Sequence, residues 1–404
     1  MSGIVIVGGG QAAQSLIAKL RQLGCNDPIT LVGDEPVVPY QRPPLSKKYL
    51  IGDMTLDRLL LRPESWYGEQ RVTLKLKTRA TAVDRAAKQI VLSTGEKIAY
   101  SKLALTTGSL PRLLPEAIGG KLAGVYAMRT LDDADRMAHE LKPGRRALVI
   151  GGGYIGLEGA AVAAMKGLSV TVLELADRIL QRVAAEKTSD YFRALHQSHG
   201  VTIRERTGLT RLIGDNGRVV GAELSDGSRI EADFAIAGIG IVPDDALARA
   251  AGLTIDNGIA VDAHCRTSDP DIYAAGDCAS FLHQGERIRL ESVGNAIDMG
   301  ECIAANMMGE AVAYEAAPWF WSDQYDVKLQ IAGLNRGYDA TVVRPGKRAG
   351  AQSVWYYKGD KLLAVDAMND GAAYTVGKRV IEAGRTIAPT IAADAAANLK
   401  DFMG

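Results

Sequence analysis

The chain has 404 residues, 47% of them hydrophobic and 23% charged, and its 47 basic side chains are balanced by 47 acidic ones. That length predicts two or three domains, each large enough to bury a core. The zero net charge removes the whole-protein basic footprint of a nucleic-acid binder. Aromatic residues make up only 6%, which argues against base-stacking platforms.

No run of about 18 apolar residues is present, so no membrane span is expected. Ile4 to Gly10 is apolar, but no basic segment precedes it and Gln11 to Lys19 is no cleavage site, so it reads as a strand rather than a secretion signal. Cys25, Cys265, Cys278 and Cys302 form no C-x-x-C pair and do not cluster with the five histidines. Neither a metal site nor an iron–sulfur cluster is expected. The four read as buried thiols of a reducing compartment, the cytoplasm.

The chain begins strand, glycine turn, helix, strand. Ile4–Val7 is a β-branched run of the kind found in buried parallel strands. Gly8-Gly9-Gly10 follows, then a helix over Ala12 to Leu23 closed by Gly24, then a strand over Ile29–Val32. The pattern Gly8-x-Gly10-x-x-Ala13 sits where a dinucleotide fingerprint must sit. It has a glycine for the tight turn, one for backbone approach to a pyrophosphate, and a small residue for helix–strand packing. Asp34 lies 21 residues after Ala13 and could accept from a ribose hydroxyl; Glu35 competes for that role if the strand end shifts by one.

Hairpin punctuation follows at Ser93–Glu96, and again at Asp215-Asn216-Gly217 and Ser225-Asp226-Gly227. Between these the opening pattern returns, 143 residues after Gly8. Ala147–Ile150 is a strand, Gly151-x-Gly153-x-x-Gly156 a complete fingerprint, Leu157–Met165 a helix and Val170–Leu173 the next strand. Glu174 follows Gly156 by 18 residues. A carboxylate there accepts from a free 2′-hydroxyl and repels a 2′-phosphate, which favours NADH over NADPH. Arg178 and Arg182 nearby could soften that preference.

Further on, Ile272–Ala274 runs into Gly276-Asp277, an aspartate placed either as a plain helix cap or to meet a flavin's polar chain. The last 85 or so residues gather Trp319, Trp321 and Trp355, and alternating runs such as Ser353–Tyr357 predict antiparallel strands. A helical tail is expected around Ile391 to Phe402.

These segments together resemble the FAD-dependent pyridine nucleotide-disulfide reductase superfamily, and within it the oxygenase-coupled NADH-dependent ferredoxin reductases. The resemblance rests on Val32-Gly33-Asp34, Arg42-Pro43-Pro44-Leu45-Ser46-Lys47, Thr106-Thr107-Gly108, Arg129 to Ala134, Ile150 to Glu158, Gly238-Ile239-Gly240, Gly276-Asp277, Glu291-Ser292-Val293 and Ala317 to Tyr325. It implies an α/β fold with two Rossmann-like dinucleotide-binding domains, as in glutathione reductase, and a C-terminal α+β domain. The expected boundaries are 1–112 with 243–318 for FAD, 113–242 for NAD, and 319–404 for the third domain.

By the same resemblance, FAD lies along Gly8, Gly10, Ala12, Ala13 and Asp34 or Glu35, with Arg42, Lys47, Ala80, Thr107, Gly108, Arg129, Asp277, Val293 and Trp321 completing its site. NADH lies on Gly151, Gly153, Tyr154, Ile155 and Gly156, with Glu158, Glu174, Gly238, Ile239 and Gly240. The stretch Tyr40–Leu50 has no cysteine where the disulfide reductases carry a pair, so thiol–disulfide exchange is excluded there.

Lys47 and Glu158 are the expected catalytic pair, a cation beside the flavin neutralised by a carboxylate, because a lone buried ammonium is costly. The implied partner is a separate [2Fe-2S] ferredoxin that feeds an oxygenase such as a haem-thiolate monooxygenase, with no nucleic acid or membrane involved. Rubredoxin reduction, small-molecule reduction and a redox-sensing role like that of apoptosis-inducing factor are the rival readings. Lys328, Arg336, Arg344, Lys347 and Arg348 are candidate basic docking residues for an acidic ferredoxin.

Overall fold

A computed structural model describes residues 2–402 as two compact units. The first takes the chain up to Gln41, Thr55–Leu110 and Ile241–Pro318. The second takes Arg42–Met54, Pro111–Gly240 and the chain from Trp319 onward.

In the first unit, β-branched strands Gly3–Val7 and Ile29–Val32 lie parallel, flanked by Val72–Lys75 on one side and Lys97–Leu105 on the other. Ile272–Ala274 joins the far edge of Lys97–Leu105, also parallel, and Gln89–Leu92 and Ala80–Asp84 extend the sheet as antiparallel hairpins. The expected turn at Ser93–Glu96 joins two of these strands, with Gly95 at φ 85°. Helices Gln11–Gln22 and Val293–Met307 pack closely because Gly300 has no side chain. A Cβ there would stand 2.6 Å from the Ala12 carbonyl oxygen.

The second unit holds a five-stranded all-parallel sheet in the order Thr202–Arg204, Ser169–Leu173, Arg146–Ile150, Phe234–Ala237, Val125–Tyr126. Its central strands Arg146–Ile150 and Phe234–Ala237 are almost wholly buried, as parallel strands covered on both faces are. The antiparallel strands Leu209–Asp215, Arg218–Leu224 and Arg229–Glu231 turn at the two predicted hairpins. The first carries Asn216 and Gly217 at φ 48° and 78°, the two positive values a type I′ turn requires.

The same unit ends in a five-stranded antiparallel sheet, Trp319–Gln324, Val327–Gly333, Lys361–Met368, Gln352–Lys358, Ala340–Pro345, backed by helix Gly371–Glu382. The predicted helical tail is broken into Pro389–Ala393 and a 3₁₀ turn at Leu399–Phe402. Arg344 is the physical reason. Its buried guanidinium gathers the carbonyls of Ala392, Asp394, Ala395 and Ala397, which an unbroken helix would have kept for itself. That corrects the docking role expected for Arg344.

Candidate functional site

The two fingerprints are built alike. The Gly8 amide donates to Val32 O at 2.8 Å, and the Gly151 amide to Leu173 O at 2.8 Å. Both glycines have φ above 100°, and a Cβ would meet the Thr106 carbonyl at 2.3 Å in one copy and the Gly238 carbonyl at 2.4 Å in the other. Only glycine satisfies both conditions. Sheet registers Val7↔Leu105 and Ile150↔Ala237 then make Thr107-Gly108 the counterpart of Ile239-Gly240.

Both following helices, Gln11–Gln22 and Tyr154–Met165, begin on glycine caps, Gly10 and Gly153. No side chain caps either helix and no acid sits in either first turn. Cβ atoms at Gly9, Gly10 and Gly153 would meet open space. Free amides and an unopposed helix dipole fit a pyrophosphate in each unit. The second helix starts at Tyr154, three residues earlier than its apolar run suggests, because Gly156 packs on the strand while already helical.

In the first unit the remaining candidates collect at the carboxyl ends of the parallel strands, where open α/β sheets bind ligands. Thr107 Oγ1 donates to Asp244 O at 2.5 Å, and Gly108 has φ 72°. Asp277 follows strand Ile272–Ala274 and accepts from Ser109 Oγ at 2.8 Å. A Cβ at Gly276 would lie 3.5 Å from Ala12 Cβ. Ala13 and Ala80 are buried, and Val293 opens its helix behind the Ser292 cap. Asp34 is exposed, whereas Glu35 Oε2 accepts from Tyr40 O–H at 2.5 Å. The register puts Gly33, not an acid, in the place that Glu174 holds in the second copy.

In the second unit, Glu174 Oε2 accepts from the Gly152 amide and Oε1 from the Ala176 amide, both at 2.8 Å. The carboxylate is thereby fixed under the glycine turn. Arg178 is committed elsewhere, to Ser189 Oγ and Ala184 O. Arg182 lies nearer the turn, with its guanidinium 3.7 Å from where a Gly240 Cβ would stand. Ile155 is exposed. Tyr154 packs against Phe320 with ring centroids 5.0 Å apart and planes tilted by 35°, and among the described residues its buried hydroxyl has no hydrogen-bond partner. Trp321 stacks on Trp319 with centroids 5.5 Å apart.

Lys47 and Glu158 come together as the sequence suggested. Lys47 ends the 3₁₀ turn Pro43–Ser46, and its Nζ stands 3.0 Å from Glu158 Oε1, with Asp323 Oδ2 at 3.9 Å. Glu158 is 4% exposed and also accepts from Ser322 Oγ at 2.7 Å and Ser46 Oγ at 2.6 Å. Burial pushes its carboxyl up, against the pull of Lys47 and the two hydroxyls. Lys47 is therefore not a plain surface lysine and Glu158 not a solvated helix charge. Arg42 and Arg129 also meet, through Arg42 Nη1 and Arg129 O at 2.9 Å. Ser46 and Ser322 were not assigned by sequence reasoning, although both lie inside runs that carry the resemblance, Arg42 to Lys47 and Ala317 to Tyr325. A buried carboxylate demands donors, and hydroxyls beside Lys47 were the available signal.

A second buried carboxylate belongs to the C-terminal sheet. Asp366 Oδ2 accepts from Thr188 Oγ1 at 2.7 Å and from Tyr356 O–H, and burial pushes its carboxyl up to about 6 from 3.8. Between about pH 4 and 6 the folded chain keeps this proton while the unfolded chain has lost it. The linkage therefore lowers stability as pH rises through that window. His196, held neutral by burial down to about 4, works oppositely and costs stability as pH falls from 6.5. Asp366→Asn is expected to remove the first slope alone, so that urea midpoints measured from pH 4 to 7 rise relative to wild type toward neutrality. A constant offset across that range would contradict it.

The described residues contain no helix long and apolar enough to cross a membrane and no His, Cys, Asp and Glu grouping able to hold a metal. Residues 2–300 match the pyridine nucleotide-disulphide oxidoreductase family, and 319–403 match the reductase C-terminal family. The chain is 42% identical to putidaredoxin reductase of Pseudomonas putida, covering 99% of this chain and 96% of that one. It is also 42% identical to rhodocoxin reductase of Rhodococcus erythropolis, covering 98% and 93%. Among solved structures it resembles the reductase in a covalent putidaredoxin reductase–putidaredoxin complex, with a TM-score of 0.96 at 41% identity, over 100% of this chain and 98% of that one.

Proposed function

Because this chain belongs to the pyridine nucleotide-disulphide oxidoreductase family, we propose that it is an NADH-dependent ferredoxin reductase. It carries FAD and passes electrons to a [2Fe-2S] ferredoxin that serves an oxygenase. The observation that carries this reading is the pair of uncapped, glycine-built helix starts, one per unit, joined to 42% identity over nearly the whole chain with putidaredoxin reductase and rhodocoxin reductase. FAD, when bound, accepts two electrons from a nicotinamide and releases them one at a time. We place the protein in the cytoplasm, where its four buried free thiols suit a reducing milieu.

In this reading residues 1–112 and 243–318 hold FAD, through the amides after Gly8, the threonine and glycine at 107 and 108, and Asp277. Either Asp34 or Glu35 accepts from the ribose. Residues 113–242 hold NADH over Gly151–Gly156, with Glu174 on the adenine ribose and Gly238–Gly240 as the floor. Lys47 supplies fixed positive charge where negative charge develops during hydride transfer. Glu158 neutralises Lys47 before transfer and orients the nicotinamide carboxamide. Tyr154 and Trp321 supply aromatic faces, and 319–404 is the third domain. No cysteine pair is available for disulfide chemistry in Tyr40–Leu50.

Glu174→Gln is expected to raise KM for NADH and to shrink the NADH-over-NADPH preference by about tenfold, the worth of one charge-assisted hydrogen bond. The ratio of kcat/KM for the two nucleotides measures it, and an unchanged ratio would remove Glu174 from nucleotide selection. Turnover with purified [2Fe-2S] ferredoxin against rubredoxin decides the partner. Faster rubredoxin turnover would overturn the ferredoxin assignment.

A further inference from the structure

Beyond Glu158 the buried polar contacts continue in a single line. Ser322 and Gln324 occupy alternate positions of strand Trp319–Gln324, so both project from the same face. Gln324 Nε2 is 3.2 Å from Ser322 Oγ, and its Oε1 is 2.8 Å from His196 Nε2 on helix Glu186–Ser198. His196 Nδ1 is 3.2 Å from the Tyr325 hydroxyl, whose ring stacks on exposed His199 at 3.7 Å. Ser322, Gln324 and His196 are all 0% exposed, so the atoms that meet along the line must pair donor to acceptor.

That requirement orders the protons shared along the line. An ionised Glu158 only accepts, so Ser322 must give it the single hydroxyl proton. Ser322 Oγ can then only accept from Gln324, which sets the amide with Nε2 toward Ser322 and Oε1 toward His196. Oε1 needs a donor, so His196 carries its proton on Nε2. Burial keeps the ring neutral, so Nδ1 carries no proton and accepts from Tyr325 O–H. All four hydrogen bonds point one way, toward Glu158.

We propose that Ser322, Gln324 and His196 are positioning residues. They form a one-way hydrogen-bond chain that pins Glu158 as the carboxylate beside Lys47, and the tautomer of His196 is set by the charge on Glu158. The consequence for catalysis rests on the role given to Lys47 and Glu158 above; the chain itself does not. The charged and titratable groups facing it are Lys47 at Glu158, Asp323 behind Lys47, and Tyr325 and His199 at His196.

The test uses the FAD-loaded full chain. In ¹⁵N-histidine-labelled protein at neutral pH, the signals lost in His196→Gln are expected to report a neutral ring protonated at Nε2. A ring protonated at Nδ1, or doubly protonated, would overturn the chain. In ¹³C-glutamate-labelled protein, with Glu158→Gln for assignment, Ser322→Ala is expected to raise the Glu158 pKa by about one unit. Gln324→Leu raises it less, and Ser322→Thr restores it. A Glu158 pKa unmoved in both folded variants would reduce the line to packing. If the Glu158 pKa moves while the pH profile of flavin reduction by NADH does not, the chain stands and the catalytic role of Glu158 fails.

Discussion

Lys47→Met is expected to slow reduction of the bound flavin by NADH by about 100-fold, with FAD content and NADH affinity little changed. The size is that of removing one preorganised charge from a water-poor site. Methionine keeps the length of the side chain, so the 3₁₀ turn Pro43–Ser46 and the packing on helix Tyr154–Met165 survive. Glu158 then loses its cation while keeping two hydroxyl donors. Burial already pushes its carboxyl up, and without Lys47 it takes a proton rather than remain an uncompensated buried charge. Proton uptake limits the loss of fold stability, so the effect falls on rate. Single-turnover reduction at the wild-type rate would remove Lys47 from the chemistry.

Gly156→Ala is expected to abolish NADH-driven reduction, by about 100-fold or more, while FAD stays bound and dithionite still bleaches it. The added Cβ would stand 2.1 Å from the Gly151 carbonyl oxygen and 3.3 Å from Val149 Cγ1. The first of these neighbours is backbone and cannot rotate away. The helix must lift from the strand, and its free amides move from where the pyrophosphate is held, which is the kind of displacement of about 1 Å that costs this much. Gly159→Ala, on the same helix and outside the glycine turn, is the mild control, because its Cβ would come no nearer than 3.4 Å to Ile236 Cδ1. Unaltered KM and rate for NADH in Gly156→Ala would place the nucleotide elsewhere.

Much of this architecture was legible because its causes are local. The strands Ile4–Val7 and Ile29–Val32 declare themselves by β-branched runs, and Gly8, Gly151 and Gly156 by backbone constraints that only glycine meets. The Asn216-Gly217 turn follows from two positive φ values. Lys47 and Glu158 were legible only through resemblance, since 111 residues separate partners that meet at 3.0 Å. What escaped was decided by tertiary contacts. The tail was expected to be one helix and Arg344 a docking charge. In the fold each explains the other, because the guanidinium takes the tail's carbonyls. Gln324 and His196 carry no local signal, because their partners come from a strand and a helix more than 120 residues apart. Gly33, rather than an acid, holds the position equivalent to Glu174, because the two strands end in the same register but continue differently.

Anaerobic stopped-flow follows both halves of the proposed electron transfer on one sample. The FAD-loaded protein is reduced with NADH and, separately, with NADPH, and the reduced protein is then mixed with an oxidised [2Fe-2S] ferredoxin. Fast bleaching by NADH, slow bleaching by NADPH, and re-oxidation by ferredoxin in one-electron steps are expected. A protein that binds no FAD after reconstitution, or one bleached by NADH whose electrons do not pass to any [2Fe-2S] ferredoxin, would contradict that transfer.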